Sequence, residues 1–265
     1  MVVYAGQGDA RRTLALLWRT SAPEGARTAP GPKPALTVDA IVDAAIAVAD
    51  AATMDGLSMR AVGERFGRTA MSLYTYVPTK RELIDLMYDQ AHAEMPADHD
   101  LSGGWRVGVE SWANELRALY LRHPWLLQVS HARPVLGPHE QGVLESILRI
   151  LKETGLEPTV VRSVVGSLFS LVRGAARSVV EAGSAAGTTG TSDAEWWALR
   201  GSLLRQIVPD FDRRFPLSTR LSAEEPQPSS AEGTPRWERE AREAFTGGVN
   251  ILLDGVESRA RRRAH

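Results

Sequence analysis

Leu57-Ser-Met-Arg-Ala-Val-Gly-Glu-Arg-Phe-Gly-Arg-Thr-Ala-Met-Ser-Leu-Tyr-Thr-Tyr-Val-Pro-Thr-Lys-Arg-Glu-Leu83 decides the fold. Ser58 is a good N-cap, and the helix it opens should run through Phe66, where Gly67 breaks it. A second short helix is expected from Thr69 to Tyr76, stopped by Pro78. Leu73 and Val77, four apart, belong to the core. Thr79-Lys-Arg-Glu82 reads as a capping box that starts another helix, with Leu83, Leu86, Met87 and Ala91 inward as far as Pro96. Upstream, Thr37 caps a helix whose Ile41, Ala44, Ala45, Val48 and Ala52 share a face, ending near Asp55-Gly56. Two short helices joined by a glycine-centred turn form the layout whose second helix enters the DNA major groove.

Charge supplies the next condition. The chain has 31 Lys and Arg against 32 Asp and Glu, a formal net charge of -1. The protein as a whole is therefore no polycation, and any nucleic-acid contact must rest on local charge. Between residues 58 and 81 stand Arg60, Arg65, Arg68, Lys80 and Arg81 with Glu64 as the one anion. Acids gather elsewhere, at Asp39, Asp43 and Asp50 upstream and at Asp85 and Asp89 downstream. Positive charge is thus concentrated where phosphates would approach.

These motifs, over residues 37–90 without a gap, closely resemble the DNA-binding region of the tetracycline-repressor (TetR) family. The resemblance rests on the recognition-helix tyrosine, the aromatic–Val pair after it, the lysine at the next helix start and the Leu that follows. It implies a ligand-responsive transcriptional regulator that binds palindromic double-stranded operator DNA as a homodimer and is released by a small-molecule inducer. Repression is the usual outcome of such binding. Thr69, Ala70, Met71 and Ser72 would lie at the amino end of the recognition helix, with methyls for thymine and hydroxyls for base edges or phosphates. By resemblance, Tyr74, Thr75 and Tyr76 meet backbone and bases, Lys80 meets a phosphate, and Arg60 reaches DNA from the flank. The helix lacks an Arg, Asn or Gln for a bidentate base contact, so Arg60 or Arg68 would supply any such readout.

The rest of the chain reads as all-α, with no alternating strand pattern and no internal repeat. Residues 1–35, rich in Gly, Pro, Ala and Arg, are expected to be a flexible arm with at most a helical turn around Leu14–Trp18. Arg27 and Lys33 there carry the charge that a minor-groove contact needs. Residues 36–95 form the helix-turn-helix domain, and residues 101–260 a larger helical domain. Gly183 to Gly190 and residues 218–234 read as loops, and Ser192-Asp-Ala-Glu195 as a second capping box. No cysteine is present, which excludes thiolate catalysis and Cys-ligated metal. With no membrane span or leader apparent, a cytoplasmic protein is expected.

Residues 101–260 resemble, more loosely, the family's C-terminal domain at His123-Pro-Trp-Leu126, Leu136-Gly-Pro138, Thr154-Gly-Leu156 and Asp254-Gly255. The resemblance implies a dimer interface built from two long helices of each subunit, here near 159–182 and 236–258. Trp112, Leu116, Phe169, Arg173, Trp196 and Trp197 are large enough to line a ligand pocket. His123, His131 and His139, spaced by eight, fit no i, i+4 metal pair and read as caps or surface groups. No metal, cofactor or catalytic residue is expected. The rival class is a helical small-molecule-binding enzyme or adaptor that uses the helix-turn-helix only structurally. No phosphate-binding loop, nucleophile elbow or zinc signature supports it.

Overall fold

The computed structural model describes residues 2–20, 36–223 and 236–264. Among the described residues the fold is all-α, apart from two-residue strands β1 (Val3–Tyr4) and β2 (Val129–Ser130). The early helices are α1 (Ala10–Leu17), α2 (Val38–Gly56), α3 (Met59–Glu64), α4 (Ala70–Leu73) and α5 (Lys80–His92). Then come α6 (Trp105–Arg122), a 3₁₀ turn (Pro124–Gln128), α7 (Pro138–Lys152) and the long α8 (Pro158–Thr189). The chain continues with α9 (Asp193–Ile207), α10 (Phe211–Arg214), α11 (Pro216–Ala223) and α12 (Arg236–Ala264). Two compact units emerge: one reaches Arg177 and resumes at Gly247, and the other is Ser178–Thr246.

In the first unit α5 is the hub, with α1, α2 and α7 packed on it. Its Leu83, Leu86, Met87 and Ala91 are buried as the spacing requires. So are three acids, Glu82, Asp85 and Asp89. Each accepts a main-chain N–H from a remote segment. Asp85 takes Gly6 N–H at 2.8 Å and Glu82 takes Asp9 N–H at 3.3 Å. Asp89 takes His139 and Glu140 N–H at 3.0 and 2.9 Å, capping α7. The helix therefore uses one turn of carboxylates after another to satisfy amides that would otherwise be orphaned.

Residues 2–20 depart from the expected arm. β1 pairs in parallel with β2, Val3 opposite Val129, and Asp9 caps α1 by accepting Arg12 N–H at 2.8 Å. Ala5, Thr13 and Leu17 are buried. Trp18 Nε1 donates to the Leu136 carbonyl at 2.9 Å, and Arg19 pairs with Asp39 on α2. Composition suggested an arm because residues 1–35 are rich in Gly, Pro, Ala and Arg; what holds residues 2–20 is backbone pairing and the α5 acids. Arg27 and Lys33 lie outside the described residues.

A second departure is α8. It runs through the stretch Gly183–Thr189 that reads as a linker. The hydroxyls of Ser184, Thr188 and Thr189 bond back to carbonyls of Glu181, Ser184 and Ala185. Gly183 lies beside the Trp237 ring with room for a Cβ in ordinary contact, so neither a turn nor a close approach uses its missing side chain. The helix stops at Gly190, whose φ is +71°. Likewise α11 occupies the start of the expected 218–234 loop; residues 224–234 lie outside the described set. By length and composition α8 is also long and apolar enough to cross a membrane, but Val164, Val165, Leu168, Val172 and Ala176 are buried by protein.

Candidate nucleic-acid interface and ligand cavity

The helix-turn-helix forms as the sequence directs. Ser58 Oγ accepts Ala61 N–H at 3.1 Å at the start of α3. Gly67 takes a φ of +62°, which a glycine adopts without strain. A Cβ on Gly63 would sit 2.7 Å from the Arg68 carbonyl, so the close approach of α3 to the turn requires glycine there too. At the end of α2 it is Thr53, not Gly56, that turns left-handed, with φ 57°. Buried Met54 is anchored there by its N–H to Gln128 Oε1 at 3.3 Å. The recognition helix is shorter than its expected span, with Tyr74 to Tyr76 in a turn after α4.

Burial then separates the two faces. Leu73 and Val77 are fully buried, while Met71 is 75% and Tyr74 40% exposed. Arg60, Arg68, Thr69 and Thr75 are exposed, and Ala70, Ser72 and Tyr76 are half-buried. Ser72 Oγ donates to the Thr69 carbonyl at 2.7 Å. Arg60 pairs with Glu64 at 2.9 Å across solvent, a weak exposed pair that a phosphate can displace. Lys80 Nζ donates to the Leu57 carbonyl at 2.6 Å, so it also ties α5 to the start of the motif. Behind this face, Thr79 accepts Arg81 N–H at 3.0 Å and bonds Glu82. The expected capping box does not close: Thr79 accepts from Arg81 N–H rather than Glu82 N–H, and the Glu82 carboxylate reaches Asp9 N–H in the N-terminal segment instead of Thr79 N–H.

A cavity of about 560 Å³ opens beside α5, α6, α7 and α8. Of the residues singled out from sequence, Phe169 and Arg173 line it. Trp112 and Leu116 are fully buried and not in the lining, with Trp112 edge-on to the lining residue Phe169 at a ring-centroid distance of 5.1 Å. Trp196 and Trp197 lie in the other unit, exposed and edge-on to each other, and are no part of this lining. Arg173 uses its guanidinium on the main chain: it donates to the Leu126, Leu127 and Val129 carbonyls at 3.2, 2.6 and 2.7 Å. Sequence reasoning missed Tyr88, His92, Tyr120 and Glu140 as lining residues. Only the i, i+4 spacing of Tyr88 and His92 on α5 could have signalled the first two.

The three histidines that read as caps or surface groups have distinct surroundings. His131 lines the cavity. His139 donates its backbone N–H to Asp89 at the start of α7. His123 is buried, with Nδ1 2.8 Å from Asp50 and Nε2 3.0 Å from Glu94. Trp125 Nε1 donates to the same Asp50 oxygen at 2.9 Å. This knot joins α2 to the segment after α6.

Comparison with known proteins agrees with this architecture. The family model for the tetracyclin repressor-like C-terminal domain matches residues 95–260. The HTH-type transcriptional repressor DrrR1 of Streptomyces coeruleorubidus is 41% identical over 255 residues, 96% of this chain and 87% of that protein. An HTH-type transcriptional regulator of Saccharopolyspora erythraea is 34% identical over 123 residues, 46% of this chain and 52% of that one. Among solved structures, apo ActR from Streptomyces coelicolor shares the fold with a TM-score of 0.66 at 22% identity, covering 88% of this chain and all of that one. ActR in complex with actinorhodin superposes with a TM-score of 0.63 at 24% identity, over 85% of this chain and 96% of that one. The chain belongs to the tetracycline-repressor family: it is a helix-turn-helix transcriptional regulator and not an enzyme.

Proposed function

We propose that this regulator is a repressor that binds palindromic operator DNA as a homodimer and lets go when a small molecule fills the cavity. The observation that carries the reading is the exposure of Met71 on α4 and of Tyr74 just after it, while Leu73 and Val77 are fixed in the core. Arg60 and Arg68 flank that side, so base edges and phosphates can be met together. Residues 36–95 act as the DNA-binding domain and residues 101–260 as the ligand-binding and dimerisation domain. Apolar side chains on α8 and α12, including Val160 and the 74% exposed Ile251, support the pairing of two subunits there. Inducer would favour a dimer whose recognition helices are misplaced for major grooves one turn, ~34 Å, apart. Repression is supported by the name of the 41% identical relative, and ligand response by the ActR–actinorhodin complex.

The experiment is selection of bound sequences from random duplexes, followed by a screen for small molecules that release them. Enrichment of a two-fold symmetric site is the expected result. Recovery of no preferred sequence would reject the reading.

A further inference from the structure

Residues 2–20 carry two arginines to the corner of the molecule where α5 begins. Gly6 N–H meets Asp85, and further along Asp9 N–H meets Glu82, one turn nearer the start of α5. Arg81 Nη1 donates to the Gln7 carbonyl at 3.4 Å. At the far end of α1, Leu17, Trp18 and Arg19 share a surface pocket with Leu86, Asp89 and Gln90. α1 therefore runs beside α5 in the same direction, with its first turn next to Lys80 and Arg81.

Thr13 and Leu17, four apart, are buried and fix the inner face of α1, which leaves Arg11 and Arg12 exposed. Side chains on a helix lean toward its N-terminus, so both arginines lean toward the start of α5. Among the described residues neither guanidinium is paired with a carboxylate. The exposed cations of this corner are thus Arg11, Arg12, Lys80 and Arg81. Of its acids, Glu82 and Asp85 are buried behind them and Asp9 is exposed. A phosphate arriving from solvent meets the cations at contact and the two buried acids at a greater distance.

We propose that Arg11 and Arg12 form a second phosphate-binding site, continuous with Lys80, that grips the operator backbone beside the groove entered by α4. The proposal rests on reading α4 as the groove-reading helix. Duplex DNA is the partner that fits, because the site extends a cationic rim that already borders α4 and offers charge without a pocket for a base. The strand pairing of β1 with β2, the Trp18–Leu136 bond and buried Ala5 and Leu17 hold the segment in place. The arginines are therefore presented without the ordering cost of a free arm.

The test uses the full chain, the operator recovered by selection and a random duplex of the same length. Affinity is measured against salt for wild type, Arg11→Gln/Arg12→Gln and Arg11→Lys/Arg12→Lys. Arg149→Gln/Lys152→Gln, exposed at the far end of α7, is the charge-matched control. In Arg11→Gln/Arg12→Gln the slope of log affinity against log salt should lessen by about two. Affinity at 0.1 M salt should fall about 10- to 100-fold for both duplexes alike, since phosphates carry no sequence. Its hydroxyl-radical footprint should lose the outermost protected positions. The lysine variant should keep the wild-type slope, as should the control. Wild-type slope and footprint in Arg11→Gln/Arg12→Gln would overturn the proposal and leave the helix-turn-helix reading intact. An equal loss in the control would reduce the effect to net charge and overturn it as well. If the unmodified protein shows no salt-dependent binding to either duplex, the proposed function itself falls and this site with it.

Discussion

Asp85 and His92 sit two turns apart on α5, and burial shifts them in opposite directions. Asp85 is pushed up to about 6 and His92 down to about 4. The unfolded values are about 3.9 and 6.5. For Asp85 the folded state holds its proton more tightly, so its contribution to stability falls as pH rises from about 4 to 6. For His92 the folded state holds its proton less tightly, so its contribution grows as pH rises from about 4 to 6.5. The two slopes oppose each other over the same window. Asp85→Asn, which keeps an acceptor for Gly6 N–H, should make stability climb more steeply with pH than in the wild type. His92→Phe should make it climb less, or fall. Urea unfolding at pH 4.5, 5.5 and 6.5 checks both signs, and profiles parallel to the wild type would contradict them. None of this was legible in the sequence. Charges on a helix read as a solvated face, and the amides that use Glu82, Asp85 and Asp89 come from residues 6, 9, 139 and 140. The apolar residues of α5 were legible, because 3.6-residue periodicity marks a core face whatever it packs against.

At the scale of elements, the helix-turn-helix has no slack. Gly63→Ala would press a methyl on the Arg68 carbonyl, and backbone must move to admit it. Overpacking of this kind costs about 1–3 kcal/mol. The melting temperature should drop accordingly, whereas Gly142→Ala, at an open position on α7, should leave it unchanged or raised. The N-terminal segment makes a different prediction. It ties β2 and the Leu136 carbonyl at the cavity rim to α5 and, through Arg19–Asp39, to α2. Trp18→Phe keeps an aromatic side chain, though a smaller one, and removes the donor, so it should cost about 1 kcal/mol. Amide exchange of residues 131–137 should quicken in that variant; unchanged protection would show that the segment does not brace the rim. Helix caps at Thr37, Ser58 and Ser192 could be read because their signals are local. The continuation of α8 past Gly183 could not, since clustered Gly, Ser and Thr read as a linker in composition while the hydroxyls here bond back along the helix.

For the whole molecule, a net charge of -1 makes DNA affinity depend on where the cations lie. Local charge around α3 and α4 was visible in the sequence, and so was the family, because both reside in one contiguous stretch. The cavity was visible only in part: Phe169 and Arg173 were found, but the tyrosines and histidines that complete it come from α5, α6 and the loop before α7. The division into units at Arg177 and Thr246 has no signature in composition. The central claim is that the exposed side of α4, rimmed by Arg60, Arg68 and Lys80, grips duplex DNA. It is tested most directly by operator affinity measured against salt, on wild type, Arg68→Ala and Tyr74→Ala. Wild-type affinity should fall by a factor on the order of 10³ between 50 and 200 mM salt if about six phosphates are neutralised. Arg68→Ala should lessen that slope, and Tyr74→Ala should weaken binding by about 1–3 kcal/mol at every salt concentration with the slope retained. Salt-independent binding, or wild-type affinity and slope in both variants, would contradict the account.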